Sequence, residues 1–110
     1  MKNNQTKTYR QGDVLVTSVE VLPAKTKKIA RENGRIVLAH GKSTGHSHAI
    51  KDKNADLFSG AAPGEVYLVV GGVSAQLVHD EHSTIEIEPG NYRVVRQREF
   101  NPEEIRNVID

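Results

Sequence analysis

The stretch that decides the fold class is Lys27-Lys28-Ile29-Ala30-Arg31-Glu32-Asn33-Gly34-Arg35-Ile36-Val37-Leu38-Ala39-His40. At its centre lies Asn33-Gly34, a dipeptide that tolerates the positive φ angles of the two-residue turn between antiparallel strands. The segments on either side, 27–32 and 35–40, have the composition of the two strands that such a turn joins. We therefore predict a β-hairpin over this stretch.

The rest of the chain also predicts short strands separated by turns. Further strands are expected over 13–21, 46–50, 65–70, 74–79, 83–88 and 92–100. The polar residues and glycines of 51–64 predict a long connection, which Leu57 and Phe58 anchor in the core and which covers the candidate site. A helix is indicated only at the end of the chain, where Asn101 can cap it and Pro102 can occupy its first position.

Length and composition favour one compact domain. With 110 residues the chain can build one modest hydrophobic core. About eight short strands, without a repeat or a linker, predict an all-β fold, a small β-barrel or a sandwich, with a short C-terminal helix. The domain is expected to span 1–110, with a flexible, polar N-terminus over 1–8.

The composition also argues against several function classes. The chain has no cysteine, which excludes disulfides, thiolate zinc sites and cysteine nucleophiles. The 15 Lys and Arg residues nearly balance the 14 Asp and Glu residues, so the net charge gives no case for nucleic acid or an anionic membrane as partner. No apolar run approaches the ~18 residues of a membrane helix. We expect a cytoplasmic protein without membrane attachment.

All the histidines of the chain fall into two short windows. They are His40, His46, His48, His79 and His82. Side chains on a strand alternate between its two faces, so His46 and His48 are expected to point the same way. A two-residue turn at Asp80-Glu81 would make His79 and His82 cross-strand neighbours, with Cβ atoms roughly 4.5 to 5.5 Å apart. The spacing therefore predicts one shared site.

Clustered imidazoles of this kind are typical of a divalent metal site. Four of them would complete a tetrahedral zinc site, whereas three with a carboxylate and water would suit a catalytic zinc or a non-haem iron. The expected ligands are His46, His48, His79 and His82, and the expected metal is zinc, with iron, manganese or nickel as alternatives. His40 is a spare ligand or a group that orients one. Asp52, Asp80 and Glu81 are candidates to ligate, or to accept a ring N–H.

Two functions of different classes fit these residues. The first is a metal-binding protein, either a binding module or a small hydrolase in which Glu81 is the catalytic base for metal-bound water and a small molecule is the substrate. A structural metal, metal-free acid/base or phosphate-binding histidines, and a structural polar network are alternatives for the same cluster.

The second function is a nucleic-acid-binding or protein-binding adaptor of phage origin, with structural histidines. Its interaction surface would be the last strand, which carries Arg93, Arg96 and Arg98. A solvated face paired with glutamates is the favoured reading of these arginines, so nucleic acid is not the preferred partner. Gln11-Gly12-Asp13 is assigned to turn chemistry rather than catalysis. A homodimer and a monomer are both candidate states of the protein.

One segment resembles the first cupin motif, in which glycine precedes a His-x-His pair, a carboxylate follows and a second glycine closes the segment. The matching residues are Gly41, His46, His48, Asp52 and Gly60. A Pro89-Gly90 turn matches part of the second cupin motif, although no histidine follows it. The resemblance implies a cupin-like barrel with a cupin-type metal site.

A larger part of the chain resembles a family of small uncharacterised bacterial and phage proteins. The segments that carry this resemblance are Gln11-Gly12-Asp13-Val14, Thr44-Gly45-His46-Ser47-His48, His79-Asp80-Glu81-His82 and Tyr92-Arg93-Val94-Val95-Arg96-Gln97-Arg98-Glu99-Phe100. The resemblance supports treating these segments as one unit and implies no particular reaction.

Overall fold

The structure is a computed structural model that describes residues 6–40 and 46–96. In these residues the chain forms ten β-strands. They are β1 Thr8–Gln11, β2 Val14–Val19, β3 Lys27–Ile29, β4 Ile36–Ala39, β5 His48–Ile50, β6 Ala55–Ser59, β7 Val66–Val70, β8 Ala75–His79, β9 His82–Ile87 and β10 Gly90–Arg96. The all-β prediction is confirmed for this part of the chain.

The strands form two antiparallel sheets. The larger has six strands in the order β1-β2-β10-β7-β6-β3, and the smaller has four in the order β4-β5-β8-β9. Residues from both sheets contribute to one buried apolar cluster, in which Tyr92, Ile36, Leu68 and Leu77 are among the largest fully buried side chains. No ladder within 6–40 and 46–96 joins the two sheets into a closed barrel, so the barrel alternative is wrong.

The Asn33-Gly34 turn is confirmed, but the long hairpin around it is not. Asn33 and Gly34 have φ angles of 55° and 82°, and the two flanking residues, Glu32 and Arg35, pair through backbone hydrogen bonds of 2.8 and 3.2 Å. Beyond that single pair the strands separate, because β3 pairs with β6 and β4 pairs with β5. The turn therefore carries the chain from one sheet to the other.

The Arg31 side chain stabilises the segment in which the chain passes from the larger sheet to the smaller one. Its guanidinium donates hydrogen bonds to the backbone oxygens of Gly34, Asp52 and Ala55 at 3.1, 2.9 and 2.6 Å. These bonds tie the Asn33-Gly34 turn to the connection between β5 and β6. They satisfy one carbonyl oxygen of the turn and two at the approach to β6.

The prediction of a long connection over 51–64 is wrong for its central part. Ala55 and Leu57 are 0% and 2% exposed and belong to β6, which lies between β3 and β7 in the larger sheet. The apolar residues do alternate here, but Asp52, Asn54 and Asp56 gave the segment the composition of a loop. Leu57 does anchor it in the core, as predicted.

The predicted C-terminal helix, over 101–109, lies outside the described residues, as do residues 97–100 of the predicted last strand. That strand is confirmed as β10 up to Arg96. In the part of the chain that the structure describes, no helix has the length and apolar character needed to cross a membrane.

Candidate functional site

Pairing between β5 and β8 brings the two histidine windows together. Ala49 pairs with Val78 and Ile50 pairs with Leu77, which makes His48 and His79 neighbours across the ladder. The centroids of these two imidazole rings are 4.3 Å apart, and both side chains are almost fully buried.

The turn at Asp80-Glu81 adds a third imidazole. His79 and His82 are cross-strand partners, and their ring centroids are 4.6 Å apart. The register shifts beyond this pair, since Leu77 pairs with Ile85 and β9 therefore carries one extra residue. This bulge turns His82 to the same face as Ile85, three residues further on, where strict alternation would place the two on opposite faces.

His46 supplies the fourth imidazole from the segment just before β5. Its ring stacks against that of His79 with an interplanar angle of 22° and a centroid distance of 6.0 Å. The predicted strand over 46–50 begins only at His48, so His46 lies outside the strand that carries His48. His79 is thus the central ring and contacts the other three.

Asp80 lies between two of these rings. Its Oδ1 atom is 3.1 Å from Nδ1 of His46 and 3.5 Å from Nδ1 of His79. The hydrogen bond with Asp80 raises the pKa of His46, and the same bond lowers the pKa of the Asp80 carboxyl. The three residues each offer a ligand atom, and these atoms lie within 4.8 Å of one another. Two ligands at ~2.0 to 2.1 Å from a tetrahedral zinc are about 3.3 Å apart. The distances of 3.1 and 3.5 Å from Asp80 to the two imidazoles match this value.

Glu81 borders the same group of residues. Its carboxylate is exposed, and Oε2 lies 3.9 Å from Nε2 of His46. Its backbone N–H donates a 3.0 Å hydrogen bond to Nδ1 of His79. The Nδ1 lone pair of His79 therefore points towards the turn, and an ion bound there would take the place of this N–H.

A buried glutamine fixes the tautomer of His48. The Gln11 amide nitrogen donates to the backbone oxygens of Leu77 and Ser83, both at 2.9 Å, so its Oε1 atom must be the acceptor facing Nδ1 of His48 at 2.8 Å. His48 therefore carries its proton on Nδ1 and has a lone pair on Nε2. A hydrogen bond to one ring nitrogen that leaves the other as a ligand is the usual arrangement of metal-binding histidines.

Nε2 of His48 faces a charged pair. It lies 3.5 Å from Oδ1 of Asp13, whose other oxygen is 3.3 Å from the Arg96 guanidinium. Burial, and then the nearby His79 ring, lower the pKa of His48 to about 4, although Asp13 acts in the opposite direction. His48 is therefore neutral at pH 7.

The pKa of His48 predicts a loss of stability in mild acid. Between pH 6.5 and about 4 the unfolded chain protonates this residue and the folded protein does not, so the free energy of unfolding falls as the pH falls. The loss should reach about 3 kcal/mol at pH 4. Urea unfolding of metal-free wild type and His48→Gln at pH 7 and pH 4 would measure it as the difference between the two proteins. An equal pH dependence in both would contradict the assignment.

Gly12 brings the β1–β2 turn against the histidine cluster. Its φ angle is +59°, and a Cβ atom added to it would lie 2.8 Å from Nε2 of His82 and 3.3 Å from Cε1 of His48. The turn predicted for Gln11-Gly12-Asp13 is confirmed, but all three residues also contact the site. Sequence reasoning missed this role. No strand was predicted over Thr8–Gln11, so the sequence offered no local signal for it.

The substitution Gly12→Ala should displace the His82 ring. The positive φ angle should cost about 1 to 2 kcal/mol of stability, while the contact with His82 is relieved by movement of that ring. Gly34→Ala is a matched control, because Gly34 has a φ angle of +82° and no atom within 4 Å of the added Cβ. Imidazole NMR shifts of His82 should move only in the Gly12 variant. Unchanged shifts there would show that the ring does not pack on Gly12.

His40 and Asp52, two other predicted site residues, contact residues outside the group of four histidines. Nε2 of His40 is 3.0 Å from Glu32, and its side chain is 62% exposed. Asp52 accepts a hydrogen bond from the backbone N–H of Gln76 at 3.0 Å. No ring contact within the described residues joins His40 to the other four histidines.

The arginines of the last strand have partners within the protein. The Arg93 guanidinium lies 5.6 Å from the ring centroid of Tyr67, and Arg96 is paired with Asp13. Glu88, a glutamate between β9 and β10, forms an ion pair with Lys7. Arg98 lies outside the described residues.

Comparison with known proteins gives a family and no activity. No curated protein and no solved structure shows significant similarity to the chain, and the cupin resemblance gains no support. A family model described as a domain of unknown function, DUF8820, matches residues 10–97, which include the Gln11–Asp13 turn and all five histidines. The chain belongs to the DUF8820 family.

Proposed function

We propose that the protein binds one divalent metal ion, with zinc as the expected ion, through His46, His79 and Asp80. The observation that carries this proposal is the convergence of three ligand atoms within 4.8 Å of one another. Two imidazoles and a carboxylate form a ligand set that proteins use for zinc and for non-haem iron. Manganese and nickel are further candidate ions.

Other groups around these three residues support a metal site. The rings of His48 and His82 pack against that of His79 and against each other. Burial keeps His48 neutral, and the hydrogen bond with Gln11 leaves the lone pair of His48 on Nε2. Neutral imidazoles are the form that binds metal. These two histidines are the candidates for a further ligand, while three protein ligands would leave one coordination position for water.

A site with an open position favours a small hydrolase over a structural metal site. A zinc ion there would supply an acidified water at neutral pH. Glu81 is the residue we place as the base, because its exposed carboxylate lies 3.9 Å from Nε2 of His46. A small-molecule substrate and a cytoplasmic location are parts of this proposal.

The proposal is tested by metal analysis of protein purified without a polyhistidine tag. We expect close to one equivalent of bound metal, and a melting temperature that falls when a strong chelator is added, because a ligand that binds only the folded state stabilises it. Titration of the chelated protein with zinc, iron, manganese and nickel in turn ranks the ions. A protein that takes up none of them, and whose stability does not respond to the chelator, would overturn the proposal.

A further inference from the structure

A second pair of ligand atoms lies where the turn between β1 and β2 meets the His48 ring. Oδ1 of Asp13 is 3.5 Å from Nε2 of His48. Because the hydrogen bond with Gln11 keeps the ring proton on Nδ1, Nε2 is an acceptor, and the carboxylate oxygen beside it is an acceptor as well. Two acceptors at this distance repel each other unless a cation lies between them.

The spacing of these two atoms fits two ligands of one metal ion. Ligands at ~2.0 to 2.1 Å from a tetrahedral zinc are about 3.3 Å apart, close to the 3.5 Å between Asp13 and His48. Both groups also have an outer partner of the kind that orients metal ligands, which is Gln11 at 2.8 Å for His48 and Arg96 at 3.3 Å for Asp13. These partners contact Nδ1 and Oδ2, so Nε2 and Oδ1 are the atoms that would bind the ion.

The backbone at Gly12 brings a further imidazole to the same place. A Cβ atom added to Gly12 would lie 2.8 Å from Nε2 of His82 and 3.3 Å from Cε1 of His48. The two rings are stacked, with an interplanar angle of 18°. Glycine at this position therefore leaves the His82 nitrogen and the edge of the His48 ring facing the same space, next to Asp13.

The guanidinium that contacts Asp13 has a donor without an acceptor. Nε of Arg96 is buried and has no hydrogen-bond partner within residues 6–40 and 46–96. A buried donor left unsatisfied is costly. A water molecule bound to an ion at Asp13 is the kind of acceptor that would satisfy it.

We propose that a second divalent metal ion binds between Oδ1 of Asp13 and Nε2 of His48, beside the ring of His82, with water completing its coordination. This assigns His48 to the second ion, so the two sites share no ligand. The Asp13 side chain is 29% exposed, which gives an ion access from solvent. The positive charge of Arg96 weakens this site relative to the first. We therefore expect one equivalent in the purified protein and uptake of the second on titration.

The test is calorimetric titration of metal-free protein with zinc alone at pH 7.5. Wild type should bind two equivalents. Asp13→Asn should lose the second or bind it at least about 10-fold more weakly, since changing even an outer partner of a ligand costs ~10- to 100-fold in metal affinity. Asp56→Asn is the matched control, because it also removes a carboxylate that is paired with a cation, Lys28, and it should keep both equivalents.

Imidazole nitrogen shifts of wild type give a measurement that does not depend on the folding of a variant. Nε2 of His48 should shift with the second equivalent of zinc and not with the first, while Nδ1 stays protonated. If Nε2 is protonated in metal-free protein at pH 7.5 and does not respond to zinc, a proton occupies this position and the inference is wrong.

Titration of Asp80→Asn separates this inference from the proposed function. A single equivalent that is lost in Asp80→Asn and kept in Asp13→Asn would overturn the second site and leave the first. A single equivalent that is lost in Asp13→Asn and kept in Asp80→Asn would support the second site and overturn the first. Two equivalents bound by Asp13→Asn with wild-type affinity would overturn the inference, and a wild type that binds no zinc would overturn both sites.

Discussion

Replacing His79 with alanine should weaken zinc binding by about 100-fold. The ~10 to 16 kcal/mol with which structural sites bind zinc is shared among about four ligands, so the loss of one corresponds to about 3 kcal/mol. The effect should be largest at His79, because its ring is in contact with those of His46, His48 and His82. Competition with a chromophoric chelator at pH 7.5 measures the affinity.

Two further variants keep this prediction falsifiable if His79→Ala folds poorly. Asp80→Asn alters an exposed residue and should lower zinc affinity by ~10-fold or more, as the loss of a charged ligand does. His40→Ala removes an exposed imidazole that contacts Glu32 and should leave the affinity unchanged. Wild-type affinity in both the His79 and the Asp80 variants would contradict the assigned ligands. An equal loss in the His40 variant would place the metal elsewhere.

Replacing Gln11 with leucine should lower the free energy of unfolding by about 3 kcal/mol or more. The side chain is 2% exposed and is the hydrogen-bond partner of Leu77 O, Ser83 O and Nδ1 of His48. Leucine has a similar size but leaves all three groups without this partner, and each buried unsatisfied group costs ~1 to 3 kcal/mol. Urea unfolding of metal-free protein measures the change.

The same substitution at Gln76 is the matched control. Gln76 is an exposed residue of β8, so Gln76→Leu should change stability by less than about 0.5 kcal/mol. Imidazole nitrogen shifts provide a second measurement, because His48 should be Nδ1-protonated in wild type and should lose this preference in Gln11→Leu. If Gln11→Leu is as stable as Gln76→Leu, the Gln11 network does not hold β1 against the smaller sheet.

Short sequence patterns predicted the features that depend only on residues close together in the chain. The Asn33-Gly34 turn was predictable because few residue pairs tolerate two consecutive positive φ angles. The His79–His82 pair was predictable because a two-residue turn imposes it. The strand partners beyond Asn33-Gly34 were not predictable, because β3 pairs with β6 in the larger sheet and β4 pairs with β5 in the smaller sheet.

Burial also decided which polar segments form strands. β6 has Asp56 beside Ala55 and Leu57, and only its position between β3 and β7 shows that the alternating apolar residues face the core. β1 has a polar sequence and was not predicted. It forms because its ladder with β2 and the hydrogen bonds of Gln11 satisfy its polar groups.

The sequence by itself determined that the part of this protein described by the structure is all-β, that a tight turn lies at Asn33-Gly34 and that the histidines occur in two windows, because these properties depend on residue type and short spacing. The tertiary structure alone decided which imidazoles meet, that a bulge in β9 turns His82 to the face of Ile85, and that Gln11, Gly12 and Asp13 border the cluster. These contacts join residues up to about 70 positions apart. They depend on how two sheets pack, and no local spacing in the chain specifies that.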